Sequence, residues 1–398
     1  MSPLKRNVAL LAACQALLLT NGVSLIAING LMGYLLAADK RLATLPVTAY
    51  VIGSALTTLP ASFFMKRYGR RAGFMLGGVL GICGALLSAY AVSAHSFWLL
   101  CGGTLLAGAY NAFGQQYRFA AADAAPLDWK GKAISLTLAG GILGGVLGPE
   151  TGKLTRNLLE PQFMASYAVL ALFALASLLL ASRLKLSDAT PQESADPAPE
   201  RPLSQIARQP AFIVAVLAAT CGYGMMNLLM TATPLAMDVC RHPFDDTAFV
   251  LEWHVIGMFA PSFFTGSLIK RFGVVQILLA GSALMLACTA IALSGVTLMH
   301  FWWALVLLGV GWNFLYIGGT ALLTETYAAS EKAKVQGSND FLVFATQGVS
   351  SLAAGAVLID SGWAALVLFA LPMILLTTLA SAWLLWLRRR LEPAVQLK

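Results

Sequence analysis

Charged side chains are scarce: 18 acidic and 26 basic residues serve 398 positions, 11% of the chain, against 58% hydrophobic residues. That ratio excludes a soluble globule, which carries roughly a quarter of its residues as charges. Histidine occurs only four times, at 95, 242, 254 and 300, in no metal-ligand spacing. The six cysteines, Cys14, Cys83, Cys101, Cys221, Cys240 and Cys288, show no close pairing and read as small apolar packing residues. No metal and no cofactor are therefore expected. A phosphate-binding Gly-x-x-x-x-Gly-Lys-[Ser/Thr] loop is missing, which argues against a nucleotide-driven pump. No nucleophile with a base and no metal cluster comes together in the sequence, so an enzyme is not expected.

What the chain has in abundance is apolar length. Runs able to cross a hydrocarbon core of roughly 30 Å as helices read at 7–37, 43–65, 71–92, 97–124, 132–154 and 162–183, and again at 210–238, 246–269, 273–295, 299–325, 334–359 and 362–387. The expectation is an all-α membrane protein of twelve transmembrane helices. The first run is longer than a signal-peptide core and leads directly into further spans, so it is expected to stay in the protein. A single polar, proline-rich stretch, 184–207, interrupts the series and carries Asp188, Pro191, Glu193, Asp196, Pro197, Pro199 and Glu200. It divides the chain into bundles at 1–183 and 210–398, joined by a cytoplasmic linker at 184–209.

The halves are copies. Lys66-Arg67-Tyr68-Gly69 returns as Lys270-Arg271-Phe272-Gly273 and Val51-Ile52-Gly53 as Val255-Ile256-Gly257, both 204 positions later. At an offset of 202, Asn111 matches Asn313, Asp123 matches Glu325, and Lys130-Gly131-Lys132 matches Lys332-Ala333-Lys334. Repeats of this size are how many transporters are built. With the N-terminus inside, 21 of the 26 basic residues fall on the cytoplasmic side, and Lys40, Arg41, Lys153, Arg156 and Arg241 fall outside. The positive-inside rule then places both termini in the cytoplasm of a multi-pass protein of the cytoplasmic membrane. The net charge of +8 follows from topology, and no nucleic-acid partner is implied.

Ser62 to Arg71 resembles the Gly-x-x-x-Asp-Arg-x-Gly-Arg-Arg marker of the major facilitator superfamily, with Ser62 for the glycine and Lys66 for the aspartate. The second copy keeps Gly266, has Lys270 at the acid position, and carries Val274 and Val275 in place of the arginines. In the fifth span Gly140, Gly141, Gly144, Gly145, Gly148, Pro149 and Gly152 are similar to the glycine-rich motif of drug:proton antiporters in that superfamily, with Lys153 where a further glycine is common. The resemblance implies two pseudo-symmetric six-helix bundles, alternating access, a small-molecule substrate, protons as the coupling ion and function as a monomer in the bilayer. It leaves open whether the glycines serve antiport and efflux or plain helix packing.

Acids inside spans are costly and carry function by default. Glu150 falls in the outer third of the fifth span and Glu252 near the outer end of the eighth, where the superfamily's arrangement brings those helices together; they are the expected proton-coupling pair. The alternative is that Glu150 pairs with Lys153 or Arg156 at the rim. His254 is on a different helix face. At the inner side Lys66 or Arg67 facing Asp340, and Asp123 facing Arg70 or Arg71, are expected gating contacts, with Lys270 and Glu325 as their counterparts in the second repeat, or else ordinary interfacial ion pairs.

A substrate cavity is expected at the middle of the first, fourth, seventh and tenth spans, each of which has an asparagine there: Asn21, Asn111, Asn227 and Asn313. Tyr110, Tyr223, Trp312 and Tyr316 accompany them, and Asn111, Gln115 and Arg118 share one helix face. Aromatic planes and amides suit a flat, largely uncharged organic molecule. The asparagines serve equally as interhelical hydrogen-bond partners. A uniporter of a neutral nutrient such as a vitamin, or a receptor or assembly protein that kept the fold without transport, remains a competing expectation.

Overall fold

The computed structural model describes residues 3–126, 130–186 and 201–395. Most of the expected linker, 187–200, lies outside the described residues. Among these residues every regular element is helical: α1 Pro3–Leu36, α2 Leu45–Tyr68, α3 Arg70–Ser93, α4 Phe97–Gly114, α5 Tyr117–Asp123, α6 Lys130–Thr155, α7 Met164–Ser182, α8 Leu203–Ile206, α9 Pro210–Val239, α10 Phe244–Phe259, α11 Ser262–Phe272, α12 Val274–Ser294, α13 Leu298–Thr324 and α14 Lys332–Val395. A chain without water around it must satisfy each backbone group internally, and the helix does this along its own length.

Eight described helices are each long and apolar enough to cross a membrane. The pair α10–α11, bent by 43°, makes a ninth span. Within α14 the helical geometry fails at Gly362, whose φ of +80° and ψ of 179° are open essentially to glycine alone, and there the eleventh span turns into the twelfth. The fourth span, α4 with α5, and the fifth, α6, complete the twelve. Two more glycines punctuate the repeat. Gly69 (φ +84°, ψ 154°) and Gly273 (φ +94°, ψ 151°) end α2 and α11 in the same conformation, each donating its N–H to the carbonyl four residues back. Just before them Arg67 lies 5.3 Å over the Tyr68 ring and Arg271 lies 5.2 Å over Phe272. The duplicated tetrapeptide is thus a duplicated helix stop with its own cation–π clasp.

Contacts divide the chain into two compact units. Unit 1 comprises Met1–Pro191, Met230–Ile256 and Ser351–Gly362; unit 2 comprises Gln192–Leu229, Gly257–Ser350 and Trp363–Lys398. In unit 1, α2 and α4 approach until backbone meets backbone. A Cβ on Gly53 would strike the Leu105 carbonyl oxygen, and one on Gly108 would strike that of Tyr50. In unit 2 the twelfth span is tied to α12 by the Trp363 indole, which donates to the Ala292 carbonyl at 3.0 Å and packs on Phe301 at 5.0 Å.

Candidate functional site

The fourth span is interrupted near its C-terminal end. Helix α4 stops at Gly114 and α5 starts at Tyr117, leaving Gln115 and Gln116 in a turn between them. Upstream of the break a hydrogen-bond chain crosses from α2. The Ser54 hydroxyl donates to the carbonyls of Gly108 (2.9 Å) and Tyr50 (3.1 Å), accepts from Asn111 Nδ2 (3.1 Å), and Asn111 Oδ1 in turn accepts from Gln115 Nε2 (3.3 Å). Gln115 is exposed, whereas Asn111 is half-buried. Arg118 lies half-buried one turn on, its guanidinium 4.8 Å over the Phe119 ring and its Nε without a hydrogen-bond partner among the described residues. Asn21 and Tyr110 sit elsewhere. Both are buried and line a small internal cavity of unit 1 with Tyr50, Leu18 and Leu170, and Asn21 Nδ2 donates to Leu17 of its own helix.

Unit 2 contains an aromatic box. The Trp312 and Tyr316 rings stack at 5.1 Å and 10°, Tyr223 stands edge-on to both at 5.0 Å, and Phe259 stands edge-on to Trp312 at 6.2 Å. Trp312 is 4% exposed and its Nε1 finds no partner among the described residues; Tyr223 and Tyr316 are half-buried. Trp312 and Tyr316 are one-turn neighbours on α13, packed against Tyr223 of α9. Asn227 Nδ2 donates to the Gln347 carbonyl at 2.9 Å. Asn313 is 1% exposed and occupied at both ends of its amide, donating to Met258 O and Ser262 Oγ (2.7 Å each) and accepting from Thr265 Oγ1 (2.7 Å). It staples the α10–α11 bend, where Pro261 has no N–H to continue the ladder. Asn111 does the matching job between α2 and α4, so the paired asparagines of the repeat are cross-braces in both halves.

Glu150 and Glu252 come together in unit 1. The charged groups acting on Glu252 are Glu150 and Lys153, and Lys153 also holds Glu150 at 3.0 Å. Arg156 faces Asp245 at 3.4 Å and packs over the Phe244 ring. His254 is fully buried. The glycines of α6 are taken up by neighbours. A Cβ on Gly140 would strike the Ala12 carbonyl oxygen, while Cβ atoms on Gly144 and Gly148 would press α1 at Ala16 and Val23 (2.5 and 2.9 Å). Gly145 faces Val255 and Gly152 faces Phe244 in the same way. The second and eleventh spans, whose meeting the superfamily's arrangement implies, are joined in unit 1 by residues that carry no signal in the sequence: the Thr44 hydroxyl donates to the Ser351 carbonyl (2.7 Å) and accepts from Gly355 N–H (3.1 Å), Thr48 donates to Ser351 Oγ (3.1 Å), and Arg41 pairs with Asp360 at 2.8 Å.

Among the expected gate residues, Arg70 pairs with Asp123 at 2.5 Å. In the second repeat, where valines replace the two arginines, Glu325 takes Arg388 from the end of α14 instead, at 2.7 Å. The acid has a basic partner in both repeats, from α3 in the first and from α14 in the second. Lys66, Arg67, Arg71 and Lys270 are exposed, and Asp340, also exposed, accepts from the Asn339 amide at 3.3 Å. A dense ionic cluster involves residues that sequence reasoning passed over. Arg201 donates through its backbone N–H, Nε and Nη2 to the Glu331 carboxylate (2.8, 2.9 and 2.6 Å), Ala328 N–H adds a further bond, and Lys334 Nζ caps the Arg201 carbonyl at 2.6 Å. No pattern signals it, because the partners are 130 residues apart.

Glu331 is 2% exposed, and these donors hold its carboxyl down to about 2 from an ordinary 4.5. A group depressed on folding contributes stability that is complete above its unfolded value and lost as the pH falls through its folded value. Glu331→Gln is thus expected to lower the melting temperature by the same margin at every pH from about 8 to 5, the margin closing only as the pH drops from about 4.5 toward about 2. Thermal scans of both proteins across that range check it; a margin that changes between pH 8 and 5 would contradict the assigned bonding.

Comparison with known proteins bears on the whole of this arrangement. Residues 9–251 match the sequence model of the Major Facilitator Superfamily. The riboflavin transporter RfnT of Brucella anthropi is 42% identical over 94% of this chain and 94% of its own length. The MFS-type transporter YddS of Bacillus subtilis, itself uncharacterised, is 28% identical over 91% of this chain and 87% of its own. Crystal structures of the nucleoside transporter NupG (TM-score 0.75, 10% identity, 94% of this chain and 98% of that one) and of a bacterial homolog to the human lysosomal transporter Spinster (TM-score 0.68, 15% identity, 96% and 98%) share the fold. Twelve spans in two repeats, the duplicated helix stop and this breadth of similarity lead to one conclusion: the chain belongs to the Major Facilitator Superfamily.

Proposed function

We propose that this protein is a secondary carrier for a flat, uncharged, ring-bearing nutrient of the riboflavin type, driven by protons through Glu150 and Glu252. The observation that carries the substrate reading is the aromatic box, in which a Trp312–Tyr316 stack is buttressed edge-on by Tyr223. Its half-buried tyrosine faces suit a tricyclic ring system, since aromatic surfaces of that kind contribute about 0.5–1.5 kcal/mol per pair beyond burial. The 42% identical riboflavin transporter of Brucella anthropi supports the same class. In unit 2, Asn227 accompanies the box and Asn313 braces it; in unit 1, Asn21, Tyr110, Gln115 and Arg118 are the proposed polar contacts of the other repeat, with Asn111 as their brace.

Two carboxylates sharing a site favour taking up a proton between them, and Lys153 beside Glu150 gives the pair an alternative counter-charge when the proton leaves. The sequence halves 1–183 and 210–398 then rock as bodies in the cytoplasmic membrane, with the termini and linker inside and Arg70–Asp123, Glu325–Arg388, Lys66, Arg67 and Asp340 at the inner gate. The α6 glycines pack against α1 and α10 and carry no part of this reading.

Purified protein in liposomes loaded with a pH dye tests it. A riboflavin gradient is expected to move protons in the wild type, and a one-unit pH gradient to support about a tenfold riboflavin ratio per proton carried, the equivalent of 1.36 kcal/mol. Glu150→Gln and Glu252→Gln should abolish that accumulation while sparing downhill exchange. Riboflavin flux without pH change, unaltered in both variants, would make the protein a uniporter and the glutamates structural. Absence of any riboflavin flux would remove the substrate assignment.

A further inference from the structure

Asn227 and Asn313 are both buried amides of unit 2, and they are used differently. Asn313 commits its amino group to Met258 O and Ser262 Oγ and its carbonyl to Thr265 Oγ1. Asn227, 9% exposed and near the middle of α9, makes a single hydrogen bond, from Nδ2 to the Gln347 carbonyl. A backbone carbonyl can only accept, so the amide has one orientation. Its Oδ1 and its second N–H have no partner among the described residues. Leaving half of a buried amide unmade within a span is costly, and tying α9 to α14 needs no more than the one N–H.

Helix geometry puts those open positions beside the aromatic box. On α9 a Cβ at Gly222 would meet Leu315 of α13 at 3.1 Å, and one at Gly224 would meet Thr346 and Ser350 of α14 at 2.7 and 3.4 Å. Tyr223 lies between these two contacts and projects into the angle that α13 and α14 bound, its ring against Trp312 and Tyr316. Asn227, four residues on, is rotated from Tyr223 by only about 40° and stands one turn along the axis. Amide and rings therefore share one face, and all of them belong to unit 2. An asparagine edge that offers an acceptor beside a donor pairs with a heterocycle edge that offers the converse. Resting on the transport reading above, we propose that Asn227 is the specificity-determining residue for a ring edge in which an N–H adjoins a carbonyl, the lactam or imide edge of the heterocycle held by the box. The ring N–H donates to Oδ1 and the second Nδ2 hydrogen donates to the ring carbonyl. A ring alkylated at that nitrogen leaves Oδ1 unpaired, and sites built on hydrogen bonds reject such analogues more strongly than apolar sites do.

Competition against radiolabelled riboflavin uptake in proteoliposomes tests this, using riboflavin, whose ring has such an edge, and N3-methylriboflavin, in which a methyl group replaces the edge N–H while ring and tail are otherwise kept. Wild-type protein is expected to prefer riboflavin by about tenfold or more. Asn227→Ala and Asn227→Leu should each raise the riboflavin KM about tenfold and leave the N3-methylriboflavin inhibition constant within about twofold of wild type, so that the preference disappears. Monodispersity of each protein is the folding control, because Asn227 also ties α9 to α14. Equal weakening toward both compounds is what a merely structural role produces, and it overturns the proposal. Full retention of the preference in both variants overturns it too. A wild type that accepts N3-methylriboflavin as readily as riboflavin does so with no variant needed, which keeps the test decisive if neither variant folds. A wild type that takes up no flavin overturns the transport reading itself, and this proposal with it.

Discussion

Gly53→Val and Gly108→Val are each expected to yield almost no folded protein. A side chain at either position would meet a backbone carbonyl on the neighbouring helix, Leu105 for one and Tyr50 for the other, at a separation no real Cβ shows. Backbone cannot rotate aside as a flexible side chain can, so α2 and α4 must move apart along their length. That movement forfeits close helix contact, on which association in lipid depends in the absence of a hydrophobic force between spans. It also breaks the Ser54 bond to Gly108 and, with it, the Asn111 brace. Overpacking of this kind costs about 1–3 kcal/mol where side chains can adjust, and more where they cannot, a large part of a typical net stability. Gly266→Ala is the control: nothing lies within 4 Å of its Cβ position, and replacing a helical glycine by alanine gains up to about 1 kcal/mol. Size-exclusion profiles and melting temperatures of the three variants decide the matter. Wild-type behaviour of Gly53→Val would disprove the α2–α4 packing.

Trp312→Ala should weaken substrate binding by about 10- to 100-fold, whereas Trp312→Phe should stay within a few-fold of wild type. Alanine removes the ring that Tyr316 stacks on and that Tyr223 and Phe259 meet edge-on, so three aromatic partners lose their shared support at once. It also opens a cavity, for which a Trp→Ala change in a core costs about 3–5 kcal/mol of stability. Phenylalanine keeps a ring in place and deletes an indole N–H that is buried without a partner among the described residues, a group whose desolvation costs about 1–3 kcal/mol. The phenylalanine variant should therefore bind nearly normally and melt no lower than wild type. Measuring KM and melting temperature on all three proteins separates a binding role from a packing role. A Trp312→Ala protein with wild-type KM would remove the box from the substrate site.

Much of the architecture is legible in the sequence. Twelve apolar runs became twelve spans because hydropathy adds along the chain and lipid admits no other backbone solution than the helix. The repeated Lys-Arg-Tyr/Phe-Gly marked two helix stops because only glycine adopts the backbone angles found at 69 and 273. The meeting of Glu150 with Glu252 was foreseen only with the superfamily's helix arrangement in hand; nothing in the residues themselves brings positions 102 apart together.

Beyond that the tertiary structure decided. Asn111 and Asn313 differ from Asn21 in what their amides hold, yet all three look alike as single polar residues in apolar runs. Glu325 turned to Arg388, and Arg201 to Glu331, across 63 and 130 residues. Thr44 found Ser351 and Gly355 more than 300 positions away. Helices apolar on every side carry no stripe that tells which face is turned inward. Length, ends and repeat are local properties written in residue type and order. Partners depend on the rotation of each helix about its axis, which close packing sets only when all the neighbours are in place.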